Sequence, residues 1–178
     1  LFVVVNILSH EHSAAKLHTT ALLELDPMEN KHRLLMVEDS QTLAAIYASY
    51  LSESEFELCI VDSLARARDE WPRFNPDIVL LDVELPDGHG LDLLKNPPDS
   101  ESVPEVLVMT AFGSSEMAVE AIRIGAFDYL SKPFNADRLH VTLNNALDQR
   151  RLKSTVDQLA KLRREKYCDF IGGSLPMQ

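Results

Sequence analysis

Three carboxylates, a hydroxyl and an ammonium group stand at or just after apolar runs in this chain of 178 residues. Glu38 and Asp39 follow Leu34-Leu35-Met36-Val37, and Asp82 follows Ile78-Val79-Leu80-Leu81. Thr110 follows Val106-Leu107-Val108-Met109, and Lys132 comes two residues after Phe127-Asp128-Tyr129-Leu130. Carboxylates brought together repel one another and need a cation at neutral pH. Hard oxygen donors with room for water suit Mg2+. Such an ion would relieve the repulsion and offset charge developing on a transferring phosphoryl group. A carboxylate such as Asp82 can accept that group as an aspartyl-phosphate. Thr110 offers a hydroxyl donor and Lys132 a mobile point charge. A set of this kind transfers phosphoryl groups by positioning and electrostatics. Taken singly, each residue has an ordinary reading: a solvated acidic loop, a helix or turn cap, a strand-end threonine, a Lys-Pro turn. Their common placement after four apolar runs is what joins them.

The elements needed to position them are legible. Residues 34–37, 56–61, 78–83, 106–109 and 127–130 read as strands, most of them continuously apolar, as in strands buried on both faces. Between them, Leu43, Ile46, Tyr47, Tyr50 and Leu51 recur on one helical face. Residues 64–71 read as a short helix ended by Pro72, and 91–95 as a helical stub before Pro97-Pro98. Residues 115–124 read as a helix closed by Gly125, and Asn135 can cap a final helix. Alternating strands and helices imply right-handed crossovers and a parallel sheet. The expectation is an α/β, flavodoxin-like, doubly wound fold with a five-stranded parallel sheet. In such folds the site lies at the carboxyl ends of the strands, where the five residues would converge.

Four stretches resemble the receiver domain of two-component response regulators. They are Leu35-Met36-Val37-Glu38-Asp39, residues 78–90 around Leu81-Asp82-Val83, Val108-Met109-Thr110-Ala111 and Asp128-Tyr129-Leu130-Ser131-Lys132-Pro133-Phe134. The resemblance implies a CheY-like domain over residues 31–149, a switch rather than an enzyme, with at most slow self-catalysed phosphorylation and dephosphorylation. It makes Asp82 the phosphoacceptor. It makes Asp39 a direct Mg2+ ligand, with Glu38 assisting through water and Glu84 supplying a backbone carbonyl. Thr110 and Lys132 would bind phosphoryl oxygens, with the Ala111 N–H as a further donor. Thr110 and Tyr129 would be the switch residues, and the Lys132-Pro133 bond would be cis. The phosphodonor would be a histidine kinase or a histidine phosphotransfer protein. Glu38-Asp39 departs from the Asp-Asp of many members, and Asn96-Pro97-Pro98 shortens the third helix.

The flanks extend the resemblance to NtrC-type, sigma-54-dependent regulators. Residues 150–168 read as a helical linker. Leu152, Val156 and Leu159 form a brief heptad seam, less than two heptads long, that could join two copies. Phe170-Ile171-Gly172-Gly173 and the residues after them look like the opening of an AAA+ module, cut off at Gln178. That places the start of the chain's own AAA+ domain at 169–178. Residues 118–123 and 136–146 look like the quorum-sensing branch of these regulators. Residues 1–30 fit the pattern poorly and read as a leader or N-terminal extension, with Met28 as the expected start.

Composition narrows the classes. Hydrophobic residues are 46% and charged residues 25%, a soluble globular profile. A net charge of −11 disfavours direct nucleic-acid binding, which needs clustered Lys and Arg. The longest apolar run, residues 1–8, is too short to span a bilayer and lacks signal-peptide flanks. Cys59 and Cys168 have no metal spacing and read as reduced thiols of a cytoplasmic protein. Two alternatives share the site residues. A haloacid-dehalogenase-type phosphatase would want a second Asp where Glu84 stands. A pseudo-receiver would keep the fold without being phosphorylated.

Overall fold

The structure is a computed structural model that describes residues 31–51, 55–100, 102–111 and 115–171. The expected leader (1–30) and most of the expected AAA+ opening (172–178) lie outside the described residues. Five parallel strands form the central sheet: β1 (His32–Val37), β2 (Phe56–Val61), β3 (Ile78–Asp82), β6 (Glu105–Thr110) and β7 (Asp128–Ser131). Their order is β2-β1-β3-β6-β7. A short antiparallel hairpin, β4 (Glu84–Leu85) with β5 (Gly88–His89), follows β3 directly.

The two faces of the sheet follow from strand alternation. Leu34, Met36, Ile78, Leu80, Leu107 and Met109 point to one side. There they pack against α1 (Gln41–Tyr50) and α5 (Ala136–Ile171). Leu35, Val37, Val79, Leu81, Val106 and Val108 point to the other side. These meet α2 (Leu64–Phe74), α3 (Leu91–Lys95) and α4 (Ser115–Arg123). Strands buried on both faces explain the continuous apolar runs. The expected doubly wound fold is what forms.

Caps set the helix starts. The Ser40 Oγ accepts from Leu43 N at 3.4 Å, and the Asn135 Oδ1 accepts from Arg138 N at 2.9 Å. Pro72 does not end α2, as the sequence led one to expect; it lies inside the helix, which runs on to Phe74. Pro72 sits in the last turn and is exposed, so the missing amide removes one terminal bond. The stop comes from Asn75, whose left-handed φ of 46° turns the chain while its N–H still donates to Trp71 O at 2.8 Å.

Helix α5 spans 36 residues without interruption at residue 150. Arg150, just past the expected domain boundary, pairs with Asp77 at 3.0 Å and donates to Val103 O at 2.8 Å. Lys153 pairs with the buried Glu105 at 2.5 Å. The start of the expected linker is thus tied to the strands' amino-terminal edge. Leu152, Val156 and Leu159 stay exposed.

Gly90 is the most crowded of the described glycines. A Cβ there would lie 2.0 Å from the Asp82 carbonyl oxygen, which belongs to backbone and cannot swing aside. Gly90→Ala is therefore expected to destabilise the domain by about 1–3 kcal/mol or more. Urea denaturation monitored through the buried Trp71 measures it.

Candidate metal and phosphoryl site

Glu38, Asp82, Thr110 and Lys132 sit at the carboxyl ends of β1, β3, β6 and β7, on one edge of the sheet. Each position is fixed by a backbone bond that continues the pairing beyond the strand. Glu38 N donates to Val61 O at 2.9 Å, Val83 N to Met109 O at 3.0 Å, and Lys132 N to Thr110 O at 2.8 Å. The Lys132-Pro133 bond is cis. Phe134, just after it, stacks on Tyr47 of α1 with ring centroids 4.2 Å apart and 15° between planes.

The Lys132 ammonium lies between two carboxylates. Its Nζ is 2.5 Å from Glu38 Oε2 and 2.6 Å from Asp82 Oδ2, and all three side chains are buried. The other oxygens are held by backbone: Ser40 N donates to Glu38 Oε1 and Glu84 N to Asp82 Oδ1, each at 3.3 Å. Glu38, Asp39 and Asp82 each bring one carboxylate oxygen to within 4.8 Å of the others. Asp39 is the exposed member and has no ion pair among the described residues.

The donor set fits a hard dication. All three donors are carboxylate oxygens, and one partner, Asp39, faces solvent, leaving room for coordinated water. Three carboxylates against one ammonium leave two formal negative charges. Burial pushes the Glu38 carboxyl above its usual range, and the adjacent Lys132 offsets this only in part. Burial alone would lower the Lys132 ammonium, but its bonds to Asp82 and Glu38 outweigh that and hold it above its ordinary value. The lysine therefore stays charged and bridges the two carboxylates.

A proton and a bound cation would compete for Glu38. With a raised folded-state value, the metal-free protein gains stability as pH falls through that value toward the unfolded one. A metal-bound form would gain nothing there, because a carboxylate supporting a metal must be deprotonated. The half-saturating Mg2+ concentration is expected to rise as pH falls from about 8 to about 5, by at most about tenfold per unit for one proton. Calorimetric titration across that range measures it; a flat profile would remove Glu38 from the metal-coupled set.

The remaining sequence-derived residues are placed less centrally. Thr110 is buried, with its Oγ1 3.7 Å from Met117 Sδ of α4. Tyr129 is half-buried against the α2–α4 side of the sheet. It also helps to line an open groove of about 460 Å3 with Pro133, Phe134 and Arg138. Glu84 opens the hairpin, with an exposed side chain. Ala111 is exposed just after β6. Asp87 entered the sequence reading only as part of a matching stretch, yet its carboxylate accepts from Leu64 N and Ala65 N, each at 2.9 Å. A contact spanning 22 or 23 residues through side chain and backbone leaves no periodic trace.

Residues 34–144 match the response regulator receiver domain family. The chain belongs to that family. The chain is 42% identical over 144 residues to regulatory protein LuxO of Vibrio cholerae, covering 80% of this chain and 31% of that protein. It is 32% identical over 128 residues to regulatory protein AtoC of Escherichia coli, covering 72% of this chain and 28% of the relative. The chain thus spans less than a third of these relatives' length. Among solved structures it resembles the receiver domain of a LuxO repressor protein from Vibrio parahaemolyticus (35% identity, TM-score 0.64, 71% of this chain and 97% of that one). It also resembles NtrX from Brucella abortus in complex with ADP (32% identity, TM-score 0.66, 74% of this chain and 29% of that one). The likeness drawn from residues 118–123 and 136–146, which is to LuxO, is borne out by these relatives. No helix among the described residues is long and apolar enough to cross a membrane.

Proposed function

We infer that this receiver is a phosphorylation switch in which Asp82 takes a phosphoryl group from a histidine kinase or a histidine phosphotransfer protein. The observation that carries this reading is the Lys132 ammonium held within 2.6 Å of Asp82 and 2.5 Å of Glu38, beside an exposed Asp39. Asp82, Asp39 and Glu38, with the Glu84 carbonyl, would hold Mg2+, which when bound offsets charge on the phosphoryl oxygens.

The chain's own residues then act as follows. An Asp82 carboxylate oxygen forms the new bond to phosphorus as the bond to the donor's histidine nitrogen breaks. Lys132 swings from the carboxylates to a phosphoryl oxygen, exchanging one anionic partner for another. Thr110 leaves Met117 and donates its hydroxyl to a second oxygen, and the Ala111 N–H serves a third. Movement of Thr110 clears space for Tyr129 to turn inward, which changes the surface of α4 and β7. A dianionic group paired with a cation and a hydroxyl is a sufficient drive for such a change.

In the longer protein this surface would govern an attached AAA+ sigma-54 activator in the cytoplasm, in quorum sensing. The exposed Leu152, Val156 and Leu159 seam would join two copies. Incubation with Mg2+ and acetyl phosphate tests the central step. Intact-mass spectrometry should show one added phosphoryl group on the wild type and none on Asp82→Ala. Equal behaviour of the two would overturn the reading.

A further inference from the structure

We propose that Asp87 is a positioning residue for the candidate metal site, acting as a latch that hangs the loop of residues 83–90 on the first turn of α2. This rests on the metal-binding reading above, because Asp82 and Glu84 flank the start of that loop.

The loop is closed on itself at its base. Gly90 N donates to Val83 O at 2.7 Å, and Gly90 approaches the Asp82 carbonyl too closely for any side chain. Its two arms form the β4–β5 hairpin, pairing Glu84 with His89 and Leu85 with Gly88. Those features fix the loop's internal shape but not its tilt relative to the sheet. Val83 N, bonded to Met109 O at 3.0 Å, and the buried Val83 and Leu85 anchor the base, while the tip is anchored separately. Both Asp87 oxygens accept amides of α2, Leu64 N and Ala65 N, each at 2.9 Å. The next residue, Gly88, has a φ of +154°, and a Cβ there would lie 2.9 Å from Leu64 Cδ1. A two-point carboxylate bond to unpaired helix amides is charge-assisted and favoured by the helix dipole. Those two amide bonds hold the Asp87 carboxyl below its usual range. At the other end of the same eight residues, Glu84 N touches Asp82 Oδ1 at 3.3 Å. Loosening the tip lets the hairpin swing about its base and shifts Glu84, the residue whose carbonyl would complete the metal site.

The test compares wild type, Asp87→Ala, Asp87→Asn and Ser63→Ala. Ser63 caps the same helix, accepting from Arg66 N at 3.5 Å, and its side chain makes no hydrogen bond to the loop among the described residues. Mg2+ binding is followed by calorimetry, and amide exchange is followed at Glu84 and Gly90 without metal. Asp87→Ala is expected to raise the half-saturating Mg2+ concentration about tenfold, as loss of an outer supporting contact does. It should also speed exchange at both amides. Asp87→Asn, which keeps one acceptor oxygen, should fall between. Ser63→Ala should lower the melting temperature and leave the Mg2+ midpoint in place. If Asp87→Ala only lowers the melting temperature, or if Ser63→Ala moves the midpoint equally, Asp87 is a helix cap and nothing more. Should the wild type bind no Mg2+, the functional reading fails instead. The exchange data still judge the latch: unchanged protection at Glu84 and Gly90 in Asp87→Ala would overturn it.

Discussion

Lys132→Ala is expected to lower the stability of the metal-free protein by roughly 3 kcal/mol, at the low end of what removing one partner from a buried ion pair costs. The lysine is the only cation among the described residues in contact with Glu38 and Asp82, and both carboxylates are buried. Without it, two like charges face each other with the Ser40 and Glu84 amides as their remaining hydrogen-bond donors among the described residues. The low end applies because Glu38, already pushed up by burial, can take a proton and relieve part of the repulsion. That makes the defect pH-dependent. The Lys132 ammonium is held above its ordinary value, so its own stabilising contribution is intact below the unfolded-state value and fades only as pH rises through the folded one. The variant's loss should therefore be full near neutrality and shrink in acid, where Glu38 protonates. Mg2+ should restore much of it by supplying positive charge to the same oxygens, since a ligand that binds only the folded state stabilises it. Urea denaturation at two pH values, with and without Mg2+, separates these effects. A variant as stable as wild type in metal-free buffer at neutral pH would mean the carboxylates are solvated and not held by the lysine.

Much of this site was legible in the sequence because strand geometry does the placing. A strand buried on both faces must be apolar until it leaves the sheet, so the first polar residue marks its end. Glu38, Asp82 and Thr110 are such markers, Lys132 follows the half-buried β7 after its last residue Ser131, and parallel pairing puts all four ends on one edge. The two core faces were equally predictable from alternation within the runs. What stayed hidden involves contacts that have no period. The β4–β5 hairpin has arms of two residues each, too short to alternate. Asp87 reaches back to α2 through side chain and amides. Pro72 looked like a stop because its missing amide is a local fact. Whether one lost bond matters depends on how close the helix is to its end. The Arg150–Asp77 and Lys153–Glu105 pairs join residues 73 and 48 positions apart, as the differences 150 − 77 and 153 − 105 give. At the domain boundary expected after residue 149, α5 runs on unbroken, and its next turn is anchored to the sheet.

Asp39→Ala is the variant that should separate metal binding from folding. Asp39 is exposed, lies outside the lysine bridge and packs against neither core cluster. Its carboxylate nonetheless stands within 4.8 Å of those of Glu38 and Asp82. In the metal-free protein its charge only adds to their repulsion, so removing it is expected to leave stability unchanged or raise it by up to about 0.5 kcal/mol, the scale of a surface substitution. With Asp39 as the proposed Mg2+ ligand, the same change would delete a carboxylate from the metal's shell. Supporting contacts around a metal are worth roughly 10–100-fold in affinity, so a direct ligand should cost at least that much. The two effects have opposite signs, and one titration reads both. Melting temperature should start at or above the wild-type value without Mg2+ and then rise far less as Mg2+ is added. Phosphoryl incorporation from acetyl phosphate should fall with it, while Asp82 itself is untouched. An Asp39→Ala protein that fails to fold would make this carboxylate structural. One that binds Mg2+ like wild type would move the ion to Glu38 and Asp82 alone, where Lys132 already occupies one oxygen of each.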